Sequence, residues 1–238
     1  MARQIEKLGN SVIVYDDQRV SQISPAMFEP DSWQDAEAPI GQAGRHGAVY
    51  FVRQDEQDWA LRHYYRGGMI GKLLTDQYLW LGQEKTRSFH EWGLLQLIQQ
   101  ENLPGPVPVA ARYVRRGVGY TADLITLRIP NVRAFSSCLK NRTGGVELWT
   151  RVGKCIARFH QAGFCHADLN VHNLQVDSAN NVWLLDWDRG SRRPAGNWRD
   201  TNLARLQRSC RKISRDGTVD FRTSDWDALL QGYHDRVA

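Results

Sequence analysis

No window of the sequence approaches the roughly 18 consecutive apolar residues that a membrane-crossing helix needs, so no spanning segment is predicted. Cysteine is sparse: Cys138, Cys155, Cys165 and Cys210 form no C-x-x-C pair. That spacing excludes a zinc ribbon and a disulfide framework, and predicts reduced thiols in a cytoplasmic setting. Charge of one sign is not in large excess either. The 31 Lys and Arg against 26 Asp and Glu leave a net +5, which permits an anionic partner without naming one, and no nucleic acid is expected. Internal repeats and low-complexity tracts are missing, and Met1 to Lys7 carry no apolar signal segment.

What is present belongs to a folded, soluble protein: 42% hydrophobic and 24% charged residues in 238. That length suits one domain or two small lobes. The stretch around which the rest is organised is His166-Ala167-Asp168-Leu169-Asn170-Val171-His172-Asn173, an H-x-D-x-x-x-x-N string. Leu174–Val176 and the apolar run Val182–Leu185 read as a hairpin around the turn-rich Asp177-Ser178-Ala179-Asn180-Asn181. The hairpin carries Asp186 back beside Asn173. Carboxylate and amide oxygens in this pattern suit Mg²⁺, which takes one or two carboxylates plus phosphate oxygens. The pattern resembles the kinase catalytic loop with its metal-binding Asp. The resemblance implies that Asp168 receives or orients the substrate hydroxyl proton and that Asn173 and Asp186 hold the metal. It implies that His166 supports the loop by hydrogen bonding; a histidine general base is the competing role.

Upstream, Gly41, Gly44 and Gly47 lead into the apolar run from Val49. This resembles the kinase Gly-rich loop with its first glycine displaced, and is otherwise a plain turn. Ala60-Leu61-Arg62 stands where kinases carry a strand lysine, so Arg62 is the expected phosphate contact, bidentate rather than a point charge. A helix is expected from near Ser88. Glu91 either pairs with Arg62 or closes a Ser88-x-x-Glu91 capping box, with Glu84 in reserve. Two strands, Val109–Val114 and Tyr120–Leu127, follow; the kinase hinge falls at Asp123 and Ile125, whose backbone would bind adenine. Residues 66–87 are glycine-rich and basic, then apolar through Leu73–Leu81, and either dock on a lipid surface or fold in as core.

Further on, a helix is expected over Val132–Leu139 and another over Val146–Ala162, whose Trp149, Val152, Ile156 and Phe159 make one buried face. Little chain follows Asp188, and it holds no A-P-E segment, so a protein acceptor is not expected. A last helix has Leu203, Leu206, Cys210 and Ile213 on one side. Arg205, Arg208, Lys212 and Arg215 lie on roughly the other: a solvated face, or a contact for anionic headgroups or acceptor.

Four strings, Leu61-Arg62-His63-Tyr64-Tyr65-Arg66-Gly67-Gly68, the catalytic string, Leu185-Asp186-Trp187-Asp188-Arg189-Gly190 and Asn202-Leu203-Ala204-Arg205-Leu206-Gln207-Arg208-Ser209, together resemble the lipopolysaccharide kinase family, and within it the Kdo kinases. The resemblance covers most of residues 41–215. It implies a bilobal, protein-kinase-like α+β fold, with a sheet-rich lobe over about 1–130 and a short, mostly helical lobe over about 131–238. It implies ATP and Mg²⁺, and transfer to the 4-hydroxyl of Kdo on a Kdo-lipid A precursor at the cytoplasmic face of the inner membrane, with peripheral attachment. A heptose kinase, another sugar phosphotransferase, or an inactive scaffold at the membrane are the rival readings.

Overall fold

The structure, a computed structural model, describes residues 3–33, 49–54, 56–65, 76–215 and 219–235. Gly41, Gly44, Gly47 and residues 66–75 lie outside them. The chain is a mixed α/β protein whose strands all pair antiparallel. It divides into two compact units, residues 1–96 with 107–128, and residues 97–106 with 129–238.

The first unit is built on one sheet. Its strands are β1 (Arg3–Leu8), β2 (Ser11–Asp16), β3 (Val49–Gln54), β4 (Gln57–His63), β5 (Tyr78–Leu79), β6 (Pro108–Arg116) and β7 (Gly119–Leu127), in the spatial order β1-β2-β6-β7-β4-β3. β5 pairs with the start of β7. Residues 25–28, the expected short helix, form a 3₁₀ turn. One sheet face buries Ile13, Tyr15, Trp59, Leu61 and Ile125 with Val20, Ile23 and Phe28. Helix α1 (Arg87–Gln100) presents Phe89 to Tyr113 at 5.1 Å between ring centroids. With both faces covered, β6 and β7 read as nearly continuous buried runs rather than alternating ones.

That central position corrects the hinge expectation. Asp123 is paired with Arg112 of β6 and His63 of β4, and Ile125 with Ala110 and Leu61. A strand flanked on both sides has its backbone groups committed to the ladders, so neither residue offers them to a ligand. Of the apolar stretch Leu73–Leu81, only the part from Asp76 lies among the described residues. Trp80 packs on Tyr113 and Tyr120 at 4.9 and 6.1 Å, while Leu79 and Leu81 are 63% and 64% exposed.

The second unit is mainly helical: α2 (Phe135–Lys140), α3 (Gly145–Gln161), α4 (Trp198–Arg215) and α5 (Thr223–His234). Among its short strands are β8 (Arg133–Ala134), β9 (Phe164–Cys165), β10 (Leu174–Val176), β11 (Val182–Leu184) and β12 (Ser191–Arg192). The helix expected from Val132 starts later, because Arg133 and Ala134 pair with Val176 and Gln175. α3 buries Trp149, Val152, Ile156 and Phe159 as its spacing predicted. All four cysteines are buried and free, and burial pushes the Cys155 thiol up to about 12.

α3 and α5 touch backbone to backbone. A Cβ on Gly153 would lie 2.0 Å from Leu229 O, and one on Gly232 would lie 2.1 Å from Thr150 O. Neither carbonyl can yield without parting the helices. Gly153→Ala and Gly232→Ala should each cost at least about 2 kcal/mol of stability by overpacking, read from urea midpoints. Gly93→Ala in α1, where an added Cβ meets nothing within 4 Å, should gain about 0.5–1 kcal/mol of helix propensity instead.

Candidate active site

The turn Asp177–Asn181 fixes the β10–β11 hairpin. Asp177 Oδ1 accepts from the N–H groups of Ala179 and Asn181, and Oδ2 from Asn181 Nδ2 and Trp183 Nε1. Burial works against the Asp177 carboxylate, but these donors outweigh it and hold its pKa below the ordinary value. The turn sets Leu174 opposite Leu184. One residue beyond, Leu185 N–H donates to Asn173 O at 2.9 Å. Asn173 and Asp186 therefore emerge at the same end of the hairpin.

Asp186 has φ +65°, in the left-handed region. A non-glycine residue held there costs on the order of 1–3 kcal/mol, and such residues gather at functional sites. Trp187 next to it is fully buried against Phe159, His166 and Phe164. Its Nε1 donates to Leu184 O at 2.9 Å. The anchored indole holds the step that turns Asp186 out of the strand.

The catalytic loop is tied down residue by residue. His166 Nδ1 accepts from Asp168 N–H at 3.2 Å, which places the ring proton on Nε2, 2.7 Å from Leu185 O. Burial lowers the His166 pKa, so the ring is neutral. Both nitrogens are committed, which is the arrangement of a support and leaves none for proton transfer. Asn170 Nδ2 donates to Asp168 O at 2.9 Å and to Asp168 Oδ2 at 3.1 Å, while its Oδ1 accepts from His172 N–H and Asn173 N–H. Asn173 Nδ2 donates to Asp168 O at 3.0 Å, so its oxygen is the end left for a cation. No cluster of three or more His, Cys, Asp or Glu able to cage a metal occurs among the described residues. One carboxylate and one amide oxygen would suit Mg²⁺, which takes one or two carboxylates plus phosphate oxygens.

α4 borders this loop. Arg205 was grouped with the basic stripe, but its Nη1 lies 3.0 Å from Asp168 Oδ1. Arg208 and Lys212 are exposed. Arg215 lines a cavity of about 300 Å³ with Arg211, Phe221 and Trp226. His160, on α3, pairs with the Tyr233 hydroxyl at 2.8 Å, and burial lowers its pKa to about 4: a structural histidine.

In the first unit, Arg62 lies opposite Val49 in the β3–β4 ladder and pairs with Glu91 of α1. Tyr64 completes the group: its hydroxyl donates to Glu91 Oε2 at 2.5 Å and accepts from Arg62 Nη2 at 3.1 Å, with the guanidinium 4.7 Å from its ring centroid. Burial, and next the Glu91 charge, push the Tyr64 pKa well up. The capping-box alternative fails because α1 already begins at Arg87, which puts Ser88 inside the helix, where its Oγ donates to Arg112 O at 2.8 Å. Glu84 is on the surface with Arg3. Asp123 forms a second buried group that sequence reasoning missed: Arg112 Nε donates to it at 2.8 Å, and His63 Nδ1 lies 2.6 Å away.

A family model described as the lipopolysaccharide kinase (Kdo/WaaP) family matches residues 30–233. A protein of Xanthomonas campestris pv. campestris (strain B100) called 3-deoxy-D-manno-octulosonic acid kinase is 41% identical over 96% of this chain and 91% of its own length. Proteins of the same name from Xylella fastidiosa (strain M23) and Stenotrophomonas maltophilia (strain K279a) are 40% and 39% identical. They align over 93% and 96% of this chain, and over 88% and 91% of their own lengths.

Glu91 is 2% exposed, so removing its cation leaves a buried carboxylate uncompensated. Arg62→Ala should cost about 3–5 kcal/mol of stability, and Arg62→Ala with Glu91→Gln distinctly less than the two losses added. Arg62→Lys should restore only part, since one ammonium cannot reproduce the fork. Thermal denaturation of wild type, Arg62→Ala, Glu91→Gln, the double variant and Arg62→Lys checks this; additive losses would show that the two side chains are not coupled.

Proposed function

The chain belongs to the lipopolysaccharide kinase (Kdo/WaaP) family, and from that premise we propose that it phosphorylates the 4-hydroxyl of Kdo on the lipid A precursor Kdo-lipid IVA. It is a phosphotransferase acting on an alcohol group, and the family implies ATP as the donor. The observation that carries the acceptor reading is the roughly 40% identity across nearly the whole chain to proteins named for that sugar. The Asp168, Asn173 and Asp186 arrangement supports a working enzyme over an inactive scaffold.

In this reading the acceptor oxygen forms a new bond to the γ-phosphorus. The bond from that phosphorus to the bridging oxygen breaks, and its electron pair leaves with ADP. The hydroxyl proton passes to the Asp168 carboxylate and then to solvent. Asn173 and Asp186 would hold Mg²⁺, which supplies charge neutralisation on the phosphates when bound. Asn170 and His166 keep the loop in the conformation that aims Asp168. Within its own unit, Arg62 is oriented by Glu91 and Tyr64, as a cation for phosphates would be. The contribution is positioning and charge stabilisation, with no covalent enzyme intermediate.

The test is mass spectrometry of Kdo-lipid IVA incubated with ATP and enzyme. Wild type should add one phosphoryl group, placed on the 4-hydroxyl by fragmentation. Asp168→Asn should remain folded and transfer at least about 10²-fold more slowly, the scale of one positioned base. Near-normal turnover in that variant would remove Asp168 from the mechanism. Phosphorylation only of a heptosylated core would make the chain a heptose kinase.

The acceptor resides in a membrane, and no helix among the described residues is long and apolar enough to cross one. We place the contact on Arg208, Lys212 and Arg215 of α4, with peripheral attachment at the cytoplasmic face of the inner membrane. Neutralising the three cations should weaken co-sedimentation with anionic vesicles and leave ATP binding intact. Added salt should reproduce the loss, since exposed charges are screened beyond about 10 Å at 0.1 M. Equal sedimentation of wild type and triple variant at low salt would reduce the stripe to a solvated helix face.

A further inference from the structure

α4 meets the catalytic loop along one edge, at positions spaced i, i+3 and i+7. Asn202 Oδ1 accepts from His166 N–H at 3.3 Å, Arg205 Nη1 donates to Asp168 Oδ1 at 3.0 Å, and Ser209 Oγ accepts from Val171 N–H at 3.3 Å. The first, third and sixth residues of the loop are thus held by one helix. Residues three and four apart share a helix face, so the segment Asn202–Ser209 has the spacing such a brace needs.

We propose that Arg205 is a positioning residue of the transfer reaction, acting through Asp168, rather than part of a membrane-facing stripe. The inference rests on the reading of Asp168 as the group that takes the acceptor proton. Arg205 grips one carboxylate oxygen and Asn170 the other, at 3.0 and 3.1 Å. Two grips on two oxygens fix the plane of the carboxylate. An ionised carboxylate has about four acceptor sites, so each oxygen retains room for a substrate hydroxyl. Arg205 and Asp168 are 46% and 48% exposed, within reach of an incoming acceptor.

The charge matters as much as the grip. Asp168 must lie beside the point where an anionic phosphoryl group arrives, and a bare carboxylate would repel it. A guanidinium stays protonated at every working pH, so Arg205 balances that charge throughout turnover. A half-exposed ion pair does little for folding. The effect of Arg205 therefore falls on rate, where small errors of placement cost up to about 100-fold.

The experiment is a double-mutant cycle of Arg205→Ala with Asp168→Asn, with Arg205→Lys beside it, assayed on Kdo-lipid IVA and ATP at two salt concentrations. Arg205→Ala should lower kcat by roughly 10- to 100-fold with KM for ATP and Tm essentially unchanged. Arg205→Lys should recover part of kcat. In the Asp168→Asn background, Arg205→Ala should add almost no further loss, because its route of action is already gone. Three results would each overturn the proposal: an unchanged kcat, a loss confined to KM for the lipid and reproduced by salt, or full multiplicativity with Asp168→Asn. If wild type does not phosphorylate Kdo-lipid IVA, the acceptor reading falls by itself. The same cycle is then read on ATP hydrolysis, with water as acceptor, where non-additivity upholds Arg205 and additivity overturns it.

Discussion

Leu185 is held at both its N–H and its C=O, and the candidate active site depends on that. Its N–H donates to Asn173 O, and its C=O accepts from His166 Nε2. The first bond closes the end of the β10–β11 hairpin; the second fastens the strand's exit to the start of the catalytic loop. Between them they determine where His166, Asn173 and Asp186 stand relative to one another. A one-residue slip in the hairpin would invert every side chain and undo both bonds. The Asp177 turn prevents the slip by accepting four donors on one carboxylate. Ordinary turn chemistry thus sets where Asn173 and Asp186 stand relative to one another.

The same locality explains what could be read from the sequence. The hairpin, the α3 face and the apolar stripe of α4 are encoded by residues within a few turns of each other, and the periodicities reported them correctly. Arg62 and Glu91 were recognised as a possible pair only because the order of motifs resembles a kinase; the choice between pairing and capping needed the position of Ser88. Features set by distant partners were not legible. Nothing near Arg133 announces that it pairs with Val176 and so delays α2. Nothing near Arg205 announces Asp168, and helical periodicity grouped it with Arg208, Lys212 and Arg215 as a solvated face or an anionic contact. Asp123 was misread for the opposite reason: a kinase-like order suggested a hinge, whereas sheet topology puts β7 between β4 and β6.

That topology also sorts the charges of the first unit. Along β4, successive side chains point to opposite faces. Arg62 faces α1 and its Glu91. His63 faces the other way, where Asp123 and Arg112 are its cross-strand neighbours and Glu29 closes the group 2.8 Å from Arg112. Burial opposes a charge on His63, but the hydrogen bond and charge of Asp123 raise its pKa nonetheless. Each buried ion has an opposite partner, as the cost of desolvation demands, and the two groups do not share one. Arg112 is held by Asp123, Glu29 and the Pro25 carbonyl as a structural cation. Arg62 keeps a different environment, with one carboxylate, one phenol and an aromatic ring. Its guanidinium is oriented by hydrogen bonds and stacking together, something an ammonium could not match. An arginine in the strand position where kinases carry lysine is therefore consistent with Tyr64 two residues later: the ring and its hydroxyl give the planar cation both a surface to lie on and a partner that fixes its rotation.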